Sequence, residues 1–409
     1  MQSSHPSPTP CGAEADRRQT GRTLAAVRAV EMIIEGCAMT LEYATDLEIN
    51  PNVESRFSDN HDDSITQVSA IGEEISVSHN SNATPSAFGW EFQFNAAIVI
   101  MLNAMPEAKE VKVEGEVEDI EVFLNDGKKI FAQAKSCMTP EDATNALRDL
   151  KKALGTLSAA SQTGHAQSLF FVTNRPDPFK IPKTIHRFSN GYSCVPYSDL
   201  PDTCKNRIEE IIQKQKLSLE KEKLSVLVFD FSGEGSNRYR IVKQRIAEFL
   251  VSLGDNYGGW AQKAMERWQL SFGKNASSKS KRITKQEMIW PLIVWMCERG
   301  THEWLQDFDE ATCDQISSTF GKMINETSER FEFVTKVMSD FALFQKQNSG
   351  LTQKEVTKKF ITEKSMSFRE EFDLSGLDAN TAKAVMELTV EKVLRERVFI
   401  SKMKKAVNL

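Results

Sequence analysis

Between residues 89 and 136 the spacing of apolar positions changes character twice. Residues 90–102 are apolar on nearly every side after the first turn, which predicts a buried helix. Residues 111–114 read as a strand, and Gly115 lets the chain turn after it. Residues 119–124 then alternate, with Asp119, Glu121 and Phe123 on one face and Ile120, Val122 and Leu124 on the other. Asn125-Asp126-Gly127 supplies a hairpin turn, because these residues tolerate positive φ. Residues 128–136 are predicted to return as a strand, with Gln133 and Lys135 on one face and Ala132 and Ala134 on the other.

Further along, Thr139-Pro140-Glu141-Asp142 has the form of a helix start, with Thr as cap, Pro at the first position and acids in the first turn. The helix is predicted to reach about residue 160, burying Ala143, Leu147, Leu150, Leu154 and Leu157. The run SLFFVTN (168–174) predicts a strand buried on both faces, and strand, helix, strand implies a right-handed crossover and a parallel pair. Residues 176–201 are proline-bearing and irregular. With Arg175, Lys180, Lys183 and Arg187 they read either as a solvated loop or as a DNA-backbone contact. Residues 204–222 predict a helix and 224–231 another buried strand closing the sheet.

Beyond Gly233 the period is helical. Val242, Ile246, Phe249, Leu250 and Leu253 form one stripe, and Trp260, Trp268, Trp290, Trp295 and Trp304 cluster in a way that favours a helical core over a base-stacking platform. Lys274, Lys279, Lys281, Arg282 and Lys285, interleaved with serines, read as a solvated basic loop or a phosphate contact. Helices are expected over 286–299, around Phe331 to Phe341, and over 385–403. The last carries a wide apolar stripe (Val393, Leu394, Val398, Phe399, Ile400) suited to an interface.

Composition changes this picture mainly at the N-terminus. Residues 1–22 are rich in Ser, Pro and Thr, 24–39 allow a short helix, and the first lysine of the chain is Lys109. Residues 1–85 hold thirteen acids and five arginines, a net of −8, so a total of −6 leaves the other 324 residues at about +2. A slightly basic body is compatible with DNA binding, which depends on where the cations cluster. The acidic segment is expected to be flexible and to regulate or attach to a partner, or to reflect a start nearer Met39. No apolar run approaches the ~20 residues of a membrane span, and no signal-peptide centre is seen, so a cytoplasmic location is expected. The seven cysteines form no C-x-x-C pair, the six histidines form no H-x-x-x-H or H-E-x-x-H pattern, and no Walker motif occurs.

The hairpin brings one carboxylate, one amide and one ammonium together. Asp119 has the chemistry to hold a hard cation such as Mg²⁺, with the Gln133 side-chain carbonyl and the Ala134 backbone carbonyl completing the protein's share. Lys135 would orient a water or offset charge on a phosphate. Taken alone, a D-x-E or Q-x-K alternation equally describes an amphipathic hairpin with a solvated face.

Asp119 followed by Gln133-Ala134-Lys135 resembles the D…(E/Q)xK signature of the PD-(D/E)xK nuclease superfamily, in the QxK form of Mrr-like restriction enzymes. The longer pattern is Gly89-x-x-Phe92-Gln93, Glu118-Asp119-Ile120 and Gln133-Ala134-Lys135-Ser136. It resembles the double-stranded-DNA endonuclease domain of CD-NTase-associated antiphage effectors, and of the nuclease subunit of Lamassu-type systems. The resemblance spans roughly residues 86–235 and implies an α/β sandwich, a mixed sheet flanked by helices. Asp119, Gln133 and Ala134 would hold Mg²⁺ (Mn²⁺ substituting), Lys135 would act in catalysis, and Glu91 or Gln93 would serve as the helix acid. Gln133 stands where Glu is commoner, leaving one fewer anionic ligand.

The resulting expectation is a flexible segment 1–85, a nuclease domain 86–235 and an α-helical assembly domain 236–409. The implied activity is metal-dependent cleavage of double-stranded DNA within a multi-subunit defence complex, with an SMC-like ATPase, an accessory subunit and a homo-oligomeric active form. A stand-alone Mrr-like modification-dependent restriction enzyme is one alternative. A non-catalytic DNA-binding scaffold with a degenerate nuclease fold is the other.

Overall fold

The computed structural model describes residues 83–254, 258–298, 308–325 and 330–409. The acidic segment, the short helix expected over 24–39 and Trp304 lie outside the described residues.

The apolar run folds as helix α1, Thr84–Asn103. Three strands follow: β1 (Ala108–Val113), β2 (Ile120–Leu124) and β3 (Lys129–Lys135), joined antiparallel. Gly127, at φ 83°, closes the hairpin as the turn chemistry requires. The helix α2 begins later than the Thr139-Pro140 signal suggests. Asp142, not Thr139, caps a short 3-10 turn by accepting from the Thr144 N–H, and α2 then runs Ala146–Ser161. It leads to β4 (Ala166–Thr173), parallel to β3 as the crossover rule predicts.

Residues 176–201 are more ordered than a solvated loop. They include strand β5 (Tyr192–Pro196), which forms the sheet edge beyond β6 (Leu224–Phe229). Between them lies α3, Asp202–Gln215, shorter than the expected 204–222 because Lys216 turns left-handed at φ 52°. The sheet order is β5-β6-β4-β3-β2-β1-β7, so β6 does not close the sheet and both edge strands were missed by pattern reading.

Alternate residues separate the two faces. Phe131, Leu169, Phe171, Leu224, Val226 and Val228 pack with Leu150, Leu154 and Leu157 of α2 and Ile208 and Ile211 of α3. Phe229 points the other way and stacks on Phe92 of α1, with ring centroids 4.9 Å apart. Full burial of a Phe side chain stabilises by roughly 1.5–3 kcal/mol, so this stack helps fix α1.

The remaining helices are α4 (Arg240–Leu253), α5 (Ala261–Ala276), α6 (Lys285–Glu298), α7 (Glu310–Asn325), α8 (Arg330–Gln347), α9 (Gln353–Lys364), α10 (Ala379–Arg395) and α11 (Arg397–Val407). Residues 236–409 also supply β7, Ile283–Thr284, which pairs with β1. The Lys112 ammonium is buried in β1 and donates to the Asn275 and Ser278 carbonyls at 2.6 and 2.5 Å. Residues 91–409 thus form one compact unit, Glu91–Leu409.

The described tryptophans of the cluster pack within the fold. Trp268 is buried and donates its indole N–H to the Met288 carbonyl (2.9 Å), while Trp260 and Trp295 meet edge to face. Two expected surface features are corrected. Lys285 does not belong to a solvated basic loop: it is buried, donating to the carbonyls of Pro106 and Val407, whereas Lys274, Lys279, Lys281 and Arg282 are exposed, Arg282 pairing with Glu110 (3.2 Å). The stripe over 385–403 is covered by the chain itself. The helix breaks at Glu396, and Val393, Leu394, Phe399, Ile400 and Met403 are buried, with Val398 alone of the stripe left 60% exposed. No helix among the described residues is long and apolar enough to cross a membrane.

Candidate active site

The site lies where β2 and β3 part. Their pairing ends at Ile120↔Ala132, whereas β3 continues beside β4 as far as Lys135↔Thr173. The last residues of β3 therefore lose a neighbour on one side, and Asp119, just before β2, fills the gap. Its Oδ2 accepts from the Gln133 side-chain amide, from the Ala134 N–H at 3.0 Å, and faces the Lys135 ammonium at 3.7 Å. In an extended strand the N–H and C=O of one residue point to the same side, so the Ala134 carbonyl is also directed toward Asp119.

A tight turn delivers Asp119 to this position. Glu114 adopts a left-handed φ of 52°, and its N–H donates to the Asp119 carbonyl at 2.7 Å. Gly115 follows because a Cβ there would sit 2.4 Å from Glu121 Oε1. Glu121 is buried rather than solvated: it accepts from the Val117 N–H (2.7 Å) and pairs with Lys129 (2.9 Å), bracing the turn against β3.

Gln133 and Lys135 share the Phe131 face of β3, the face that α2 covers. From α2 the Thr156 hydroxyl donates to Gln133 Oε1 at 2.7 Å. That single hydroxyl proton leaves the neighbouring Glu118 without a donor: both carboxyl oxygens of this buried residue lack a hydrogen-bond partner. Burial, reinforced by the Asp119 charge, pushes the Glu118 carboxyl up to about 8; the Lys135 charge opposes this, as does the Thr156 hydroxyl when it turns from Gln133 toward Glu118. Glu118 was quoted in the sequence pattern but given no role. The acidic pair Glu118-Asp119 was the available signal.

Below the site, Asn174 ties the carboxyl ends of three strands. Its Oδ1 accepts from the Cys137 N–H (2.9 Å), and its amide donates to the carbonyls of Cys137 (2.8 Å) and Phe231 (3.1 Å). Ligand sites in open α/β sheets form at these ends of parallel strands. Arg175, expected in a basic loop, is buried and holds the start of α2 through the Asp142 carbonyl and Asp149.

The structure thus gathers Asp119, Gln133, Ala134 and Lys135, and adds Glu118 and Thr156. The expected helix acid is engaged differently. Glu91 bonds Arg238 (2.7 Å) and the Tyr239 hydroxyl, and α1 packs on the opposite face of the sheet from Gln133. Gln93 is half-buried, with its Oε1 lacking a partner.

Does this cluster suit Mg²⁺? Among the described residues no group of three or more His, Cys, Asp or Glu is placed to hold a metal ion. Mg²⁺ asks for less, one or two carboxylates with the remainder from neutral oxygens and water. Two adjacent carboxyls, one with both oxygens orphaned, and the Ala134 carbonyl meet that requirement. Gln133 Oε1 faces Thr156 instead, but a half-turn of the amide presents that oxygen to the Asp119 side, and the Thr156 hydroxyl can accept from the amide nitrogen in exchange. The residues present fit the ion. No known family model, curated protein or solved structure matches the chain.

Proposed function

We propose that this chain is a divalent-metal-dependent endonuclease of the PD-(D/E)xK kind that cuts double-stranded DNA. The observation that carries the reading is the convergence on Asp119 Oδ2 of the Gln133 amide, the Ala134 N–H and the Lys135 ammonium, where β2 and β3 diverge. A half-buried lysine held beside a carboxylate on an open strand end suits phosphodiester hydrolysis better than packing does.

Bound Mg²⁺ would supply Lewis-acid polarisation of a phosphoryl oxygen. Asp119, Glu118 and Ala134 would hold it, with Gln133 after rotation of its amide. Lys135 Nζ carries the positive charge that orients a water, or that opposes charge gathering on the phosphate in the transition state. Asn174 and the Gly115 turn keep the two halves of the site in register. The run Gln133-Ala134-Lys135-Ser136, with Glu118-Asp119-Ile120, further supports an effector role in a multi-subunit antiphage system of the Lamassu type, where an SMC-like ATPase partner would restrain cutting. Because the stripe over 385–403 is internally covered, a homo-oligomeric active form no longer rests on it.

Incubation of the full-length protein with supercoiled plasmid and Mg²⁺ tests the proposal. Nicking or linearisation is expected, abolished by EDTA and restored by excess Mn²⁺. Undiminished cutting in EDTA would overturn the metal-dependent mechanism.

A further inference from the structure

We propose that the solvent-facing side of α2, carrying Arg148, Lys151 and Lys152, seats the phosphate backbone of the duplex that enters the site, an inference that rests on the nuclease reading above. The helix covers the sheet face that bears Gln133 and Lys135, and Thr156 on its exposed side already touches Gln133. Arg148, Lys152 and Thr156 stand four residues apart and form one row along the helix. Because α2 returns antiparallel to β3, that row runs from Gln133 outward past the strand end where Lys135 lies.

Charge and shape both favour a polyanion. The only acid in α2 is Asp149, and it is engaged by Arg175 (3.4 Å) and Arg148 (3.5 Å). Lys151 and Lys152 are exposed, with no ion-pair partner among the described residues. Four helical residues rise about 6 Å, comparable with the roughly 6.8 Å that two nucleotides of one strand advance along the duplex axis. Between the cations and Thr156 lies Gly155, where an added Cβ would meet open space, so a backbone can approach closely. Of the cations that the sequence offered for phosphate contact, Arg175 and Lys285 are buried and Arg282 is paired with Glu110. Lys180, Lys183, Arg187, Lys274, Lys279 and Lys281 are exposed, but the α2 row is the one continuous with a residue, Thr156, that touches Gln133.

The test is fluorescence anisotropy of a labelled duplex across about 50–200 mM salt, with the full-length protein in a Lys135→Ala background that prevents cutting. Lys151→Gln/Lys152→Gln should weaken binding and make the slope of log K against log salt less negative by about 1.8, as loss of two phosphate contacts requires. Lys354→Gln/Lys358→Gln, an exposed pair on α9, should leave the slope unchanged. An unchanged slope in the α2 variant, or equal changes in both pairs, overturns the inference and leaves the nuclease reading standing. A parent protein that binds no duplex at any salt overturns the nuclease reading and this inference with it.

Discussion

Asp119 Oδ2 is the most heavily used atom of the site, and its partners define what each substitution should do. Glu118, beside it, has both oxygens buried without a donor. Its folded-state carboxyl titrates near 8, well above the ordinary value of 4.5. A carboxyl raised on folding contributes stability that is fully present below the unfolded value and lost as pH rises through the folded one. In chelator, therefore, the thermal midpoint should fall between about pH 4.5 and pH 8, and Glu118→Gln should flatten that decline. Differential scanning fluorimetry across the range checks it; a variant with the parent's slope would remove Glu118 as the source. The adjacent acids were visible in the sequence. Their unequal environments were not, because burial of Glu118 depends on the 114–119 turn and on α2.

At the scale of elements, the hairpin was legible and the sheet edges were not. Alternation over 119–124 and the Asn-Asp-Gly turn define β2 and β3 to within a residue or two, since register is set by turn chemistry and the buried face. β5 hid in a proline-bearing stretch because an edge strand tolerates a terminal proline, and β7 is only two residues long. The turn that delivers Asp119 depends on Gly115. Gly115→Ala forces Glu121 away and disturbs its pairing with Lys129, at a cost of about 1–3 kcal/mol, typical of overpacking. Urea unfolding checks this, and unchanged stability would mean that Glu121 has another resting place. Asn174→Ala removes the clamp between Cys137 and Phe231. Loss of stability and of plasmid cutting together is the expected result, whereas wild-type activity would show that the strand ends hold without it.

At the scale of the whole molecule, the sequence suggested a nuclease domain followed by a helical one, yet β7 and α6 return to the sheet. Lys285 is the clearest sign: a lysine at the start of α6 reaches the carbonyls of Pro106 and Val407, linking the end of the chain to the β1 entry. Lysines are rarely so buried, which is why composition placed it in a solvated loop. Lys285→Met should destabilise by a few kcal/mol, because the carbonyls it serves lose their donor. Equal stability of parent and variant in urea would contradict that role. The apolar stripe over 385–403 was read correctly as apolar but assigned to the wrong contact, since a pattern does not say which surface covers it.

The central claim is that the end of β3 is a hydrolytic site, and Lys135 tests it most directly. Its side chain is 28% exposed and faces Asp119 at 3.7 Å, so truncation removes charge without opening the core. Lys135→Ala should keep the parent's circular dichroism and melting profile while plasmid cleavage in Mg²⁺ falls by about 10²–10³-fold, the effect of losing one transition-state electrostatic partner. A folded Lys135→Ala protein that cuts plasmid at the parent's rate would contradict the account.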